Sequence, residues 1–186
     1  MPQPGDDLAE DDERPVLTID LGAIVDNWRL LADKARPAEA AASVKADAYG
    51  LGMAHVAPVL AAAGARTFFV ATAEEATALR ALLPAPDIYV LNGVAPGNAA
   101  SMVRHRLRPC LCSLAQIAVW RETGEGSPAA LHIDTGINRL GLPPDELAEL
   151  AADRTPLRGL DIALVLSHLA CGDDPDHPQR PGVAGR

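Results

Sequence analysis

The sequence predicts an α/β protein built on a parallel sheet of about six strands. Two observations carry this reading. Apolar runs of strand length recur from residue 16 onward, and helix-like segments alternate with them. The runs are largely continuous in apolar character, as expected of strands covered on both faces. An open doubly wound sheet and a (β/α) barrel both fit this alternation. A closed eight-stranded barrel usually takes about 250 residues, and a chain of 186 has room for six strands.

VLTID (16–20) is a strand candidate, and AIVDNWRLLADKAR (23–36) follows as a helix with Ile24, Trp28, Leu31 and Ala35 on one face. AASVKA (41–46) reads as a strand, then MAHVAPVLAAAG (53–64) as a helix closed by Gly64 and disturbed by Pro58. TFFVAT (67–72) is a strand and AEEATALRALL (73–83) a helix stopped by Pro84. IYVLN (88–92) and PCLCS (109–113) are strands around a weaker helix, GNAASMVRHR (97–106). LAQIAVWRETG (114–124) is a helix and AALHIDT (129–135) a strand. PPDELAELAADR (143–154) is a helix with prolines in its first turn, and LDIALVLSHLA (160–170) contains the last strand.

Composition narrows the function classes. The net charge of −9 and the 3% aromatic content argue against nucleic acid, which wants clustered cations and stacking platforms. Residues 6–14 hold six acids against one base, so they carry −5 of that charge; residues 1–15 are expected to form a solvated, disordered acidic tail. Neither a basic start nor an apolar run of a secretory signal is present, and no run of 18 apolar residues could span a bilayer. Cys110, Cys112 and Cys171 are too few for a disulfide framework and read as reduced thiols of a cytoplasmic protein. GDDPDHPQRPGVAGR (172–186) has no periodicity and reads as an irregular tail, either a flexible terminus or a place where the natural sequence was cut or left its frame.

The chemistry concentrates in SVKADAYGLG (43–52). Lys45 lies at the C-terminal end of an apolar strand, where parallel α/β folds gather their reactive groups. A desolvated lysine amine condenses with carbonyls, although a strand-end lysine also commonly snorkels to water. Tyr49 follows in a loop with Gly50 and Gly52; its phenol suits a phosphate, or else packs within the loop. No Walker loop and no GxGxxG occur. His132, Asp134 and His168 lack a repeated short metal-ligand spacing, so no metal is expected.

Three segments together resemble the pyridoxal-phosphate-dependent alanine racemase family. SVKADAYGLG looks like that family's cofactor-lysine motif, LHIDTGINRLG (131–141) like its DTGxxRxG motif, and LVLSHLACGDD (164–174) like its SHxAxAD motif, in family order. VLTIDLGAIVDNW resembles the family's usual start. The resemblance implies a partial (β/α)8 TIM-type barrel of about six strands over residues 16–171, with the family's C-terminal β domain missing. It implies pyridoxal 5′-phosphate as cofactor and an isomerase that interconverts L- and D-alanine for peptidoglycan synthesis, here an incomplete copy, weakly active or inactive. Alternatives are a non-enzymatic pyridoxal-phosphate-binding barrel of the homeostasis type and a non-functional truncated product. Full-length members form homodimers, and neither a nucleic acid nor a membrane partner is implied.

The same resemblance implies residue roles. Lys45 would hold the cofactor through its amine and, once released, take the α-proton of D-alanine. Tyr49 would bond the cofactor phosphate. Arg139 would lie beside the cofactor phenolic oxygen and the substrate carboxylate. His168 would stand against the pyridine ring. Two departures accompany the match. His132 occupies a position where many members carry a lysine, often carbamylated, so Arg139 must be held differently. Ile137 replaces a common methionine. The family's second base is a tyrosine of the partner subunit's C-terminal domain, and neither Tyr49 nor Tyr89 matches it. A partial barrel also leaves open edges, which predicts low stability or self-pairing.

Overall fold

A computed structural model describes residues 15–174 and residue 177. Most of the two expected tails, 1–14 and most of 172–186, lies outside the described residues. Six strands form one sheet: β1 (Ala42–Ser43), β2 (Thr67–Val70), β3 (Asp87–Val90), β4 (Arg108–Leu111), β5 (Pro128–His132) and β6 (Asp161–Leu166). Every neighbouring pair is parallel, and spatial order follows chain order from β1 to β6. A doubly wound sheet reverses its strand order at a switch point. The unbroken sequential order is that of a (β/α) barrel, of which six staves are present, and it decides between the two architectures.

The helices are α1 (Leu21–Ala35), the short turn α2 (Lys45–Tyr49), α3 (Met53–Ala63), α4 (Ala73–Leu82), α5 (Ala99–Arg104), α6 (Leu114–Thr123) and α7 (Pro144–Ala152). Strand side chains alternate between two apolar layers. Phe68, Val70, Ile88, Val90 and Leu111 face the helices and pack with Met102, Ile117 and Trp120 into the main core. Phe69, Tyr89, Cys110 and Ala130 form a smaller cluster on the other side, against Leu164 and Leu166. Cys110 and Cys112 are buried, and burial pushes both thiols above their ordinary range, so these two are protected thiols rather than nucleophiles. Among the described residues no helix is long and apolar enough to cross a membrane.

Three local expectations change. VLTID (16–20) is not a strand: β1 pairs only with β2, Val16 and Leu17 are exposed, and the Asp20 carboxylate accepts the Ala23 N–H as the N-cap of α1. Apolar composition alone did not supply the ladder partner that a strand requires. On α1 the inward stripe is Leu21, Ile24, Val25 and Trp28, whereas Leu31 is 61% exposed. Finally, β1 stops at Ser43, so Lys45 stands just past the strand rather than within it.

Candidate active site

Lys45 opens a left-handed turn. Ala46, Asp47, Ala48 and Tyr49 all have φ between 50° and 57°. Side-chain sterics make this conformation cost about 1–2 kcal/mol per L-residue, and four in succession persist only when the surroundings hold them. The surroundings do so here. Inside the turn, the Ala48 N–H donates to Val44 O and the Gly50 N–H to Ala46 O, each at 2.9 Å. Gly50, at φ 84°, closes it without a side-chain penalty. From outside, the Glu75 carboxylate accepts the Ala46 N–H at 2.8 Å through Oε1 and, through Oε2, the Ala71 N–H at 2.7 Å and the Thr72 N–H at 3.3 Å. Asp47 Oδ1 accepts the Met53 N–H at 2.7 Å and so caps α3 from a distance. Thus α4 and the end of β2 pin the backbone that carries Lys45.

The DTGINR loop after β5 is shaped in a similar way. Asp134 Oδ1 accepts the Gly136 N–H at 2.9 Å and the Asn138 N–H at 3.2 Å, an Asx-type turn. These backbone donors hold its carboxyl below the usual range. Gly141, at φ 107°, lies where a Cβ would fall 2.6 Å from the Asp134 nitrogen. The loop therefore closes tightly on itself, and Leu142 returns to bond the His132 carbonyl at 2.8 Å. Its tip presents Arg139.

These segments surround one cavity of about 600 Å³ at the C-terminal ends of the strands. That volume suits a small-molecule ligand. Lys45, Tyr49, Arg139 and His168, the four residues singled out from the sequence, all line it. The half-buried Lys45 directs its amine to 5.8 Å from the Tyr49 ring centroid. The exposed Tyr49 hydroxyl pairs with Ser43 Oγ at 3.1 Å. Arg139 and His168 are both exposed at the cavity. His168 stands two residues past β6, in a loop, so it is no core histidine.

His132 is the buried polar wall of the same cavity, 4% exposed. Its Nδ1 lies 3.6 Å from Cys112 Sγ, while its buried Nε2 has no hydrogen-bond partner among the described residues. Burial first, and then nearby His168, favour the neutral ring. The folded protein consequently binds this proton less readily than the unfolded chain. The contribution of His132 is complete above the ordinary imidazole pKa of about 6.5 and is lost as pH falls below it. A His132→Gln variant is expected to show a flatter decline of melting temperature between pH 7 and 5 than the wild type. Parallel curves would remove this titration from the account.

Sequence reasoning missed Glu75, Ser43 and the carboxylate of Asp134. A signal was available for Glu75: Thr72 and Glu75 form the S/T-x-x-E capping box, and both reciprocal bonds are present. Nothing local could reveal that the same carboxylate also reaches Ala46, 29 positions away.

Comparison with known proteins bears on this arrangement. The family model for the alanine racemase N-terminal domain matches residues 19–182. The chain is 53% identical over 165 residues to an alanine racemase of Acidiphilium cryptum, covering 87% of this chain and 46% of the relative. It is 50% identical over 166 residues to an alanine racemase of Rhizobium meliloti, covering 87% and 44%. Among solved structures it resembles the alanine racemase from Bartonella henselae with covalently bound pyridoxal phosphate, with a TM-score of 0.84, 40% identity, and coverage of 88% of this chain and 49% of that one. The biosynthetic alanine racemase from Pseudomonas aeruginosa gives a TM-score of 0.75 at 34% identity, covering 87% and 46%. The chain thus spans about half the length of the curated relatives it matches.

Proposed function

The chain belongs to the alanine racemase family through that family's N-terminal domain, and from this premise we propose that it binds pyridoxal 5′-phosphate at Lys45 and contributes the lysine side of alanine racemisation. The observation that carries the proposal is the convergence of Lys45, Tyr49, Arg139 and His168 on one cavity from three separate stretches of sequence.

The residues fit the cofactor by their chemistry. A primary amine without an ion-pair partner among the described residues suits an aldehyde. The Tyr49–Ser43 hydroxyl pair offers donors to a phosphate. A guanidinium suits the phenolic oxygen or a substrate carboxylate. When bound, the cofactor supplies the electron sink that acidifies the α-C–H of an amino acid. The chain's own residues do the rest. Glu75 and the left-handed turn fix the Cα of Lys45, so its amine samples a narrow arc at the cavity mouth. Arg139, on the tightened loop, orients the alanine carboxylate. The Lys45 amine then takes the α-proton of D-alanine at Nζ. The neutral His132 ring lines the same cavity as Arg139 without adding a second positive charge beside the guanidinium.

The experiment is reductive trapping. The chain contains two lysines, Lys34 and Lys45, and Lys34 sits exposed in the last turn of α1. Treatment with pyridoxal 5′-phosphate followed by borohydride and peptide mapping is expected to place the adduct on Lys45 and not on Lys34. Equal labelling of both would mean that no specific site exists.

A further inference from the structure

A second cavity, about 260 Å³, lies at the opposite end of the sheet, where the strands begin. Three guanidinium groups line it, those of Arg80, Arg106 and Arg108, beside a single carboxylate, Asp87.

Their hydrogen bonds are unequal. Arg80 spends its donors on backbone carbonyls: Nε on His105 at 3.0 Å, Nη1 on Leu83, Pro84 and Pro86 at 3.1, 3.1 and 2.8 Å, and Nη2 on Arg106 at 3.0 Å. It ties the loop before β3 to the loop before β4, and carbonyl dipoles surround its charge without neutralising it. Arg108 pairs with Asp87 and donates from Nη1 to the Tyr89 hydroxyl at 3.0 Å. Arg106 donates from Nη2 to Pro84 O at 2.9 Å, and its Nε and Nη1 have no acceptor among the described residues. The ring thus carries three positive charges against one negative. Burial, together with Arg106 and Arg108, works against the charge on Arg80. The cavity is concave, and it holds free guanidinium donors with an excess of two positive charges. Such a place favours a small polyvalent anion.

We infer that this cavity binds a phosphate-class oxyanion through Arg106 and Arg108, with Arg80 as a fixed charge behind it, and that the bound anion stabilises the end of the barrel remote from Lys45. The ion could be free phosphate or the phosphate of a small ester, and the cavity volume admits little beyond that group.

The full chain is titrated by calorimetry and by thermal melting with sodium phosphate, with glycerol phosphate, and with sodium chloride at matched ionic strength. Phosphate is expected to bind saturably and to raise the melting temperature beyond the chloride control. A melting shift with phosphate but not with the ester identifies the free ion, and equal shifts identify the phosphoryl group. Arg106→Gln is expected to weaken binding at least about tenfold, the loss typical of one charge-assisted hydrogen bond. Asp87→Asn is expected to tighten binding by removing the competing carboxylate. A phosphate effect no larger than chloride's, or one unchanged in Arg106→Gln, overturns the inference. Lys45→Ala should bind phosphate as the wild type does, so this result stands or falls separately from cofactor trapping.

Discussion

Replacing Lys45 by alanine is expected to abolish adduct formation at position 45 and to lower cofactor-dependent exchange of the D-alanine α-hydrogen with solvent deuterium by about 10²–10⁴-fold, the usual worth of a positioned proton-transfer group. The argument starts at the backbone. Lys45 stands two positions after the end of a two-residue strand, with buried Val44 between, and precedes four left-handed residues, so its Cα is fixed from both sides. Its half-buried amine meets an aromatic face at 5.8 Å rather than a carboxylate, which leaves the nitrogen lone pair accessible after proton loss. Lys45→Arg supplies the sharper comparison: the positive charge stays, but a guanidinium does not condense with an aldehyde under these conditions. Exchange is the right readout for this chain because racemisation also needs proton delivery to the opposite side of the α-carbon. Neither Tyr49, paired with Ser43, nor Tyr89, paired with Arg108, is placed for that second transfer. D-alanine loaded with the wild-type chain should therefore exchange its α-hydrogen faster than L-alanine accumulates, as followed by mass spectrometry and chiral chromatography. Exchange by Lys45→Ala at the wild-type rate would exclude this amine as the base.

The parts of the molecule that depend on local pattern were legible in advance. Five of the six strands lie where their apolar runs predicted them, and the sixth, β1, is shorter than its run. Helix ends at Gly64 and before Pro84 follow from backbone chemistry that acts within a few residues. The segment 16–20 misled because a strand is a relation between two segments, and composition describes only one. Leu31 misled for a related reason: α1 rolls its inward stripe toward Trp28 and Val25 to meet α3. The candidate site was legible through motif resemblance, not through spacing, since Lys45, Arg139 and His168 converge only after the sheet curls. The left-handed turn was invisible, because KADAY consists mainly of good helix formers and nothing in it announces φ above 50°. That conformation is imposed from outside.

The residue that imposes it is Glu75, and its removal should produce the second large effect. One carboxylate accepts three backbone N–H groups, from Ala46, Ala71 and Thr72, and hydrogen bonds to a charged group contribute about 1.5–3 kcal/mol each. Shared geometry and the side chain's partial exposure reduce the sum, so Glu75→Ala is expected to lose about 2–3 kcal/mol in chemical denaturation. The N-cap alone does not account for such a loss, because Thr72 retains its own bond to the residue 75 N–H, at 3.3 Å. The larger share comes from freeing Ala46, the first strained residue of the turn. With its amide released, the turn can relax toward right-handed geometry, which regains part of the steric cost of four left-handed residues and swings Lys45 off the cavity. Reductive trapping at Lys45 should then fall about tenfold in conditions where the variant remains folded, an outcome a purely structural cap would not produce. Glu75→Gln separates the two roles. Its single carbonyl oxygen can serve either Ala46 or the α4 cap, so stability and trapping should part company. If Glu75→Ala loses stability but traps cofactor at the wild-type rate, the left-handed turn holds itself and Glu75 serves only the fold.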